Sequence, residues 1–179
     1  MRLVIASVLL VCLVPAIRGA DDQNPYRVAK VGDWVEYKMT GQNMEGSTKM
    51  TVVSKDEKEV TYEVGASFSF MGNKMVAPVQ TMKVDLTKAY DVISAANLKA
   101  KNVKIEKLDE GKDKLKVAGK AYDTNWTKYR ATATVNEMTI VTDYKMWFSK
   151  EVPLSGLVRM DTTASEITTK LELNGSGSK

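Results

Sequence analysis

The sequence predicts an all-β domain with minor α content: a single antiparallel meander sheet, curled into a half-barrel or barrel, with one short helix. Three observations predict it. Apolar and polar residues alternate with a period of two through most of the chain. Short stretches rich in glycine, asparagine and charged residues separate the alternating segments, as turns do. The alternation stops for any length only once, after residue 86. Strands that follow one another through short turns are typical of an antiparallel meander.

Four strands are expected before that break, at 33–40, 47–55, 59–70 and 75–86. The third is the clearest, because six residues that a helix would scatter fall on one face of a strand. They are Val60, Tyr62, Val64, Ala66, Phe68 and Phe70. Pro78 has no backbone N–H to donate, so the fourth strand should lie at a sheet edge or contain a bulge.

The middle of the chain departs from the strand pattern. Residues 87–100 include Ala95, Ala96 and Leu98, which favour a short helix. Residues 99–120 hold eight lysines and four acidic residues, and 108–120 has the composition of an exposed hairpin or loop. A solvated face is the simplest interpretation of this lysine-rich segment, and peripheral contact with an anionic surface is the alternative.

Four more strands are expected after the break, at 122–135, 138–150, 156–165 and 166–174, followed by a flexible tail at 175–179. In the strand at 138–150, Met146 and Phe148 share the inward parity, so Trp147 should point to the opposite face. The segment that follows contains Pro153 and Gly156, which indicate a rigid wide turn that carries an apolar flap at the rim.

Residues 1–20 have the layout of a cleaved signal peptide, with Arg2, an apolar run from Leu3 to Ile17, and the small residues Gly19 and Ala20. Pro15 interrupts the run, which is shorter than the roughly 20 residues that cross a bilayer. The expected organisation is therefore a signal peptide at 1–20 and one β domain at 21–174, in a secreted or periplasmic protein.

The composition after residue 20 excludes several kinds of chemistry. This part of the chain has no cysteine and no histidine, so disulfides, thiol nucleophiles, histidine-based catalysis and Cys/His zinc sites cannot occur. Without Arg2 and Arg18 the chain has 24 basic and 22 acidic residues, a net charge of +2. No concentrated basic face is expected, which argues against a nucleic-acid partner. We expect no enzyme activity, no cofactor and no metal site.

The candidate binding residues are large, soft side chains on the expected inner face: Tyr37, Tyr62, Phe68, Phe70, Met146 and Phe148. They either fill a core or line a cavity for a hydrophobic or lipid-like ligand. The leading hypothesis is non-catalytic binding of such a ligand in the concavity of the sheet. The alternative is a structural or protein-interaction component of the cell envelope with a filled core, which would use Trp34, Trp126 or Trp147 and the lysine-rich segment. Nothing in the sequence indicates the oligomeric state.

Three segments carry a resemblance to known proteins: "VGDWVEYKM", "LKVAGKAYDTNWTKY" and "KMWFSKEVPLSGLVRM". Together they resemble a family of small uncharacterised bacterial secreted proteins, across most of residues 30–174. More distantly, the order of strand, turn, "W-S-x-x-V-P-L" and return strand is similar to the half-barrel periplasmic proteins, of which the Lol-type lipoprotein carriers are the best-known group. That resemblance implies a curled sheet that holds acyl chains in an apolar concavity.

Overall fold

The computed structural model describes residues 24–90, 103–135 and 138–178, and this part of the chain is almost entirely β-structure. A 3₁₀ helix at Pro25–Val28 precedes nine strands. The strands are β1 (Trp34–Gly41), β2 (Met44–Lys55), β3 (Glu59–Phe70), β4 (Asn73–Asp85), β5 (Val103–Val117), β6 (Lys120–Val135), β7 (Met138–Phe148), β8 (Leu157–Ala164) and β9 (Ile167–Gly177). The all-β prediction is confirmed. Within the described ranges, no helix is long and apolar enough to cross a membrane.

The nine strands form one antiparallel sheet in the order β4-β3-β2-β1-β9-β8-β7-β6-β5. Every pair of successive strands is adjacent except β4 and β5, which form the two edges. The first and last strands pair with each other in the middle of the sheet. The sheet is therefore curled but not closed, which selects the half-barrel from the two predicted forms.

The two ends of the sheet differ in how the strands connect. We define the upper end of the sheet as the end that carries three tight two-residue turns, Gln42–Asn43, Met71–Gly72 and Ser165–Glu166. The lower end carries residues 56–58, the turn Ala118–Gly119 and the wide loop at 149–156. β4 begins at the upper end and finishes at the lower end, and so does β5, so the two edge strands of the half-barrel run in the same direction.

Strand β5 is the ninth strand, and the sequence did not predict it. Nine of its 15 residues are charged, which hides the apolar alternation by which the other strands are recognised. A charged edge strand discourages pairing with other chains. The high charge of β5 therefore explains why the sequence did not predict this strand, and the same charge protects this edge of the sheet.

Pro78 behaves as predicted on both counts. β4 is an edge strand, and its register with β3 moves from Val64↔Gln80 to Ala66↔Ala77. The extra residue in β4 is a β-bulge that includes Pro78 or Val79, where a missing N–H costs the ladder least.

The helix predicted at 87–100 and the tail predicted at 175–179 each follow the end of a predicted strand. In the predicted helix at 87–100, residues 87 and 88 form a turn and a bend, residues 89 and 90 have no regular structure, and the rest lies outside the described residues, as does the predicted signal peptide. At the predicted tail, β9 continues to Gly177 and pairs there with β1, and Ser178 Oγ donates a hydrogen bond to Asp33. The ring of Trp34 covers Gly175 and Gly177, which have no side chain to keep it away.

The first described residues close the lower end of the concavity. Asn24 caps the 3₁₀ helix by accepting a hydrogen bond from the Tyr26 backbone N–H at 3.1 Å, and its amide donates to the Asp85 carbonyl at 3.0 Å. Arg27 Nε donates to the Leu86 carbonyl at 3.0 Å. Tyr26 is fully buried and stacks on Tyr62 with 5.6 Å between ring centroids. The segment is therefore fixed to the end of β4 and to the core.

We predict that Asp85 makes stability depend on acid pH. Its carboxylate accepts hydrogen bonds from the backbone and hydroxyl of Thr87 and pairs with Lys88 at 2.9 Å, and these contacts lower its pKa to about 2. A depressed carboxyl pKa stabilises the folded state above the unfolded pKa of about 3.9, and the stabilisation is lost as pH falls towards 2.

The measurement is the melting temperature at pH 5 and pH 2.5. The Asp85→Asn variant should have a lower melting temperature than the wild type at pH 5. The difference between the two should be smaller at pH 2.5. Asp123→Asn, at an exposed ion pair 3.4 Å from Lys114, is the control. An Asp85→Asn deficit of equal size at both pH values would contradict the prediction.

Candidate ligand-binding face

The concave face of the sheet is the face on which Val35, Tyr37 and Met39 of β1 lie, and all three are buried. Strand register carries this face across the sheet, for example from Met39 to Leu171 on β9 and from there to Met160 on β8. In the lower half the concave face is packed with buried side chains. They include Val35, Val52, Val60, Tyr62, Met146, Phe148, Met160, Leu171 and Leu173. This packing is the hydrophobic core of the protein.

The six candidate lining residues divide between this core and the upper end. Four of them, Tyr37, Tyr62, Met146 and Phe148, are buried in the core. Phe68 is half-buried against it, and Phe70 is 41% exposed. The structure therefore leaves Phe68 and Phe70 accessible to a ligand, while the other four contact protein.

Tyr37 shows how firmly the buried members are held. Its hydroxyl donates to the Leu157 carbonyl at 3.1 Å and lies 3.3 Å from Ser155 Oγ. Burial raises the pKa of Tyr37 well above its usual value. The residue links β1 to the wide loop at the lower end, which is a structural role.

The upper half of the concave face is apolar and open. Phe70 is 41% exposed, Met75 43%, Met138 50% and Ile167 42%. Register assigns these residues to the concave face, since Met75 pairs with Phe68 and Ile167 pairs with Ala164. Large apolar side chains on both sides of the open sheet thus face the space above the core. The sequence analysis missed Met75, Met138 and Ile167, although extending the period-two parity across the tight turns would have found them.

Methionine is concentrated on the concave face. Of the nine methionines after residue 20, eight fall on this face by register, and the ninth, Met71, is in a turn. The eight are Met39, Met44, Met50, Met75, Met82, Met138, Met146 and Met160. Methionine side chains are flexible and polarisable, so they adapt to irregular contacts. The side chains at the boundary between the packed core and the open upper half can therefore change conformation easily.

The wide loop at 149–156 packs into the core rather than hanging as a flap at the rim. Val152 and Leu154 are both buried. The loop is closed by a 2.8 Å hydrogen bond from the Ser149 N–H to the Gly156 carbonyl, and Leu154 adopts a positive φ of 61°. The segment 152–154, which the sequence predicted to be an apolar flap at the rim, instead closes the lower end of the concavity.

The convex face carries a ladder of rings and cations. Trp147 points away from Met146 and Phe148, as predicted, and its cross-strand neighbours are Trp126 and Arg159. Lys145 Nζ lies 4.1 Å from the ring centroid of Trp126 and 4.7 Å from that of Trp147. These contacts leave Trp147 only 6% exposed. The tryptophans are therefore engaged in cation–π contacts with their own chain.

A polar cleft of about 370 Å³ lies at the lower end, outside the concave face. Its lining includes Lys30, Asp33, Lys150 and Glu151, a composition unsuited to an apolar ligand. Asp33 is buried and accepts hydrogen bonds from the Lys30 N–H and from Ser178 Oγ. Nowhere in the described ranges do three or more acidic side chains form a group that could hold a metal ion.

Comparison with known proteins defines the class of fold. No protein-family model matches the chain, and no curated protein matches it by sequence. Two solved structures are similar. One is a candidate exported protein with a YmcC-like fold from Bacteroides fragilis, with a TM-score of 0.53 and 10% identity over 93% of this chain and 100% of that one. The other is a candidate lipoprotein from Parabacteroides distasonis, with a TM-score of 0.51 and 12% identity over 88% of this chain and 100% of that one.

At these identities the likeness shows the fold alone. The two neighbours share the fold of this protein over most of its length. The expected similarity to Lol-type carriers stays a prediction.

Proposed function

We propose that the protein is exported and binds a hydrophobic or lipid-like ligand, without catalysis, in the upper half of its concave face. The observation that carries the proposal is the exposure of Phe70, Met75, Met138 and Ile167 on the face whose lower half is the core. Several large apolar side chains exposed on one concave face are typical of a ligand-binding surface. Because burying apolar surface is favourable in itself, such a site needs few polar contacts to bind.

Three further features support the proposal. The concavity is sealed at the lower end by Tyr26 and by the loop that contains Leu154, so a ligand would enter from above. The concave methionines allow the upper layer of the core to adjust to a ligand. The expected signal peptide at 1–20 and the descriptions of the two structural neighbours are in keeping with export. Phe68 and Phe70 are the candidate residues that we retain for the site.

The experiment uses N-phenyl-1-naphthylamine, an apolar probe whose fluorescence rises in a dry environment, with the protein lacking residues 1–20. Phe70→Ser and Met138→Ser should each weaken probe binding about tenfold, since each removes roughly 1.4 kcal/mol of apolar contact. Matched controls replace exposed apolar residues on the convex face of the same regions, Val76→Ser on β4 and Val141→Ser on β7. These two should bind like the wild type.

Equal losses in the concave and convex variants, or no probe binding by the wild type, would contradict the proposal. The latter result would favour the second candidate function, an envelope component that binds another protein. One observation supports that alternative: residues 75–82 of edge strand β4 carry no charge, and Val76 and Val79 are 71% and 64% exposed. An uncharged edge can accept a strand from a partner.

A further inference from the structure

A row of hydroxyl side chains crosses the concave face just above the core. Register places Tyr129 on β6 opposite Tyr144 on β7, Tyr144 opposite Thr162 on β8, and Thr162 opposite Thr169 on β9. Side chains directly opposite on neighbouring antiparallel strands have Cβ atoms about 4.5–5.5 Å apart. Four adjacent strands therefore bring hydroxyl groups to one level of the sheet. We call these four residues the hydroxyl row.

Thr162 is the member of the hydroxyl row that indicates a binding function. It is 7% exposed, and its Oγ1 atom has no hydrogen-bond partner among the described residues. A buried hydroxyl without a partner costs about 1–3 kcal/mol, so proteins seldom keep one unless something else uses it. A valine would fill the same volume without this cost. The side chain faces the concavity, so a group bound there could supply the missing partner.

The neighbouring tyrosines can also take part. Tyr144 and Tyr129 are half-buried, and their hydroxyls are hydrogen-bonded to Thr142 and Thr127. A phenol hydroxyl can donate one hydrogen bond and still accept others. Partial burial raises the pKa of both residues, so each hydroxyl is protonated and neutral at physiological pH.

The charges around the row favour a neutral ligand. Among the described residues, the charged side chain at this level of the concave face is Lys107, which is opposite Tyr129 on edge strand β5. It pairs with Glu110 at 2.7 Å. Above the row, the concave face continues with the uncharged side chains of Ile105, Ala131, Thr142 and Ala164. A charged head group would lose its hydration here without gaining an unpaired opposite charge.

We propose that the ligand is an uncharged amphiphile with hydroxyl or ester oxygens in its head group, of the monoacylglycerol type. Its head would lie on the hydroxyl row, with Thr162 and Tyr144 as the main hydrogen-bonding groups. Its hydrocarbon chain would lie on the opposite, apolar part of the same face, along Phe68, Phe70 and Met75. This inference rests on the proposed function, because it names the class of ligand for the same site.

The test is competition for N-phenyl-1-naphthylamine by three amphiphiles with the same lauroyl or dodecyl chain length: monolauroylglycerol, laurate and dodecyltrimethylammonium. Monolauroylglycerol should displace the probe at the lowest concentration. In the Tyr144→Phe and Thr162→Val double variant, its affinity should fall about tenfold, because two hydrogen bonds of roughly 0.5–1.5 kcal/mol each are lost. Affinities for the probe and for laurate should not change. Thr163→Val, on the convex face of β8, is the matched control.

The outcomes separate this inference from the proposed function. Probe binding with no preference for monolauroylglycerol, or with a preference that the double variant retains, overturns the inference and leaves the proposed function standing. No binding of the probe overturns both. A thermal melt of the ligand-free protein gives an independent check. Thr162→Val should raise the melting temperature, and a fall would show that the hydroxyl has a partner within the protein, which would also overturn the inference.

Discussion

Replacing Tyr26 with alanine is expected to lower the free energy of unfolding by about 3–5 kcal/mol, the range for removing a large buried aromatic side chain. Tyr26 is fully buried, and its ring contacts Tyr62 at 5.6 Å and Tyr90 at 5.4 Å between centroids. It also holds the first described segment against the lower end of the sheet. The loss should therefore open the end of the core as well as leave a cavity.

Urea denaturation followed by tryptophan fluorescence measures this change. Tyr26→Phe keeps the ring and its contacts with Tyr62 and Tyr90, so it should cost far less than Tyr26→Ala. Val28→Ala, in the same 3₁₀ helix but 72% exposed, should be close to neutral. If Tyr26→Ala cost no more than Tyr26→Phe, the segment would not be part of the folded core.

The tertiary packing around Tyr26 explains why the sequence did not predict this closure. Period two predicts strands because it depends on local alternation alone, and it placed β1 to β4 and β6 to β9 correctly to within a few residues. The 3₁₀ helix at Pro25–Val28 has no periodicity. It forms because Asn24 and Arg27 find backbone partners in residues 85 and 86, some 60 positions away. Contacts of that kind are not visible in a local pattern.

The candidate site shows a similar limit. Parity correctly assigned Tyr37, Tyr62 and Phe70 to one face, but parity cannot tell how full that face is. How much of that face is buried depends on the side chains that pack against it from the ends of the sheet. Here these belong to Tyr26 and to the loop that contains Leu154. Both lie at the lower end, so burial on β3 falls from Val60 towards Phe70. The sequence therefore predicted that these three residues face the concavity and could not predict which of them remain open.

Gly46 is the position where we expect the second large effect, and it tests the link between the sheet and the site. A Cβ atom at Gly46 would lie 2.7 Å from the Ser67 carbonyl oxygen, 3.0 Å from Phe68 Cβ and 3.2 Å from Met39 Cε. The first contact is with backbone, so Gly46→Ala must push β2 and β3 apart. Overpacking of this kind costs about 1–3 kcal/mol. The strands predicted at 33–40 and 47–55 left Gly46 in the turn between them, whereas Gly46 is inside β2.

Gly65→Ala on β3 is the matched control, because only Val79 Cγ2 comes within 4 Å of its Cβ position, at 3.9 Å. Since glycine in a strand costs about 0.5–1 kcal/mol relative to alanine, this variant should gain stability while Gly46→Ala loses it. Urea denaturation measures the change in the free energy of unfolding for both variants. Gly46→Ala should also weaken N-phenyl-1-naphthylamine binding, because Phe68 and Phe70 are on the strand that it displaces. A Gly46→Ala variant at least as stable as the wild type would mean that β2 and β3 can separate freely, in which case the upper concave face would not be a preformed site.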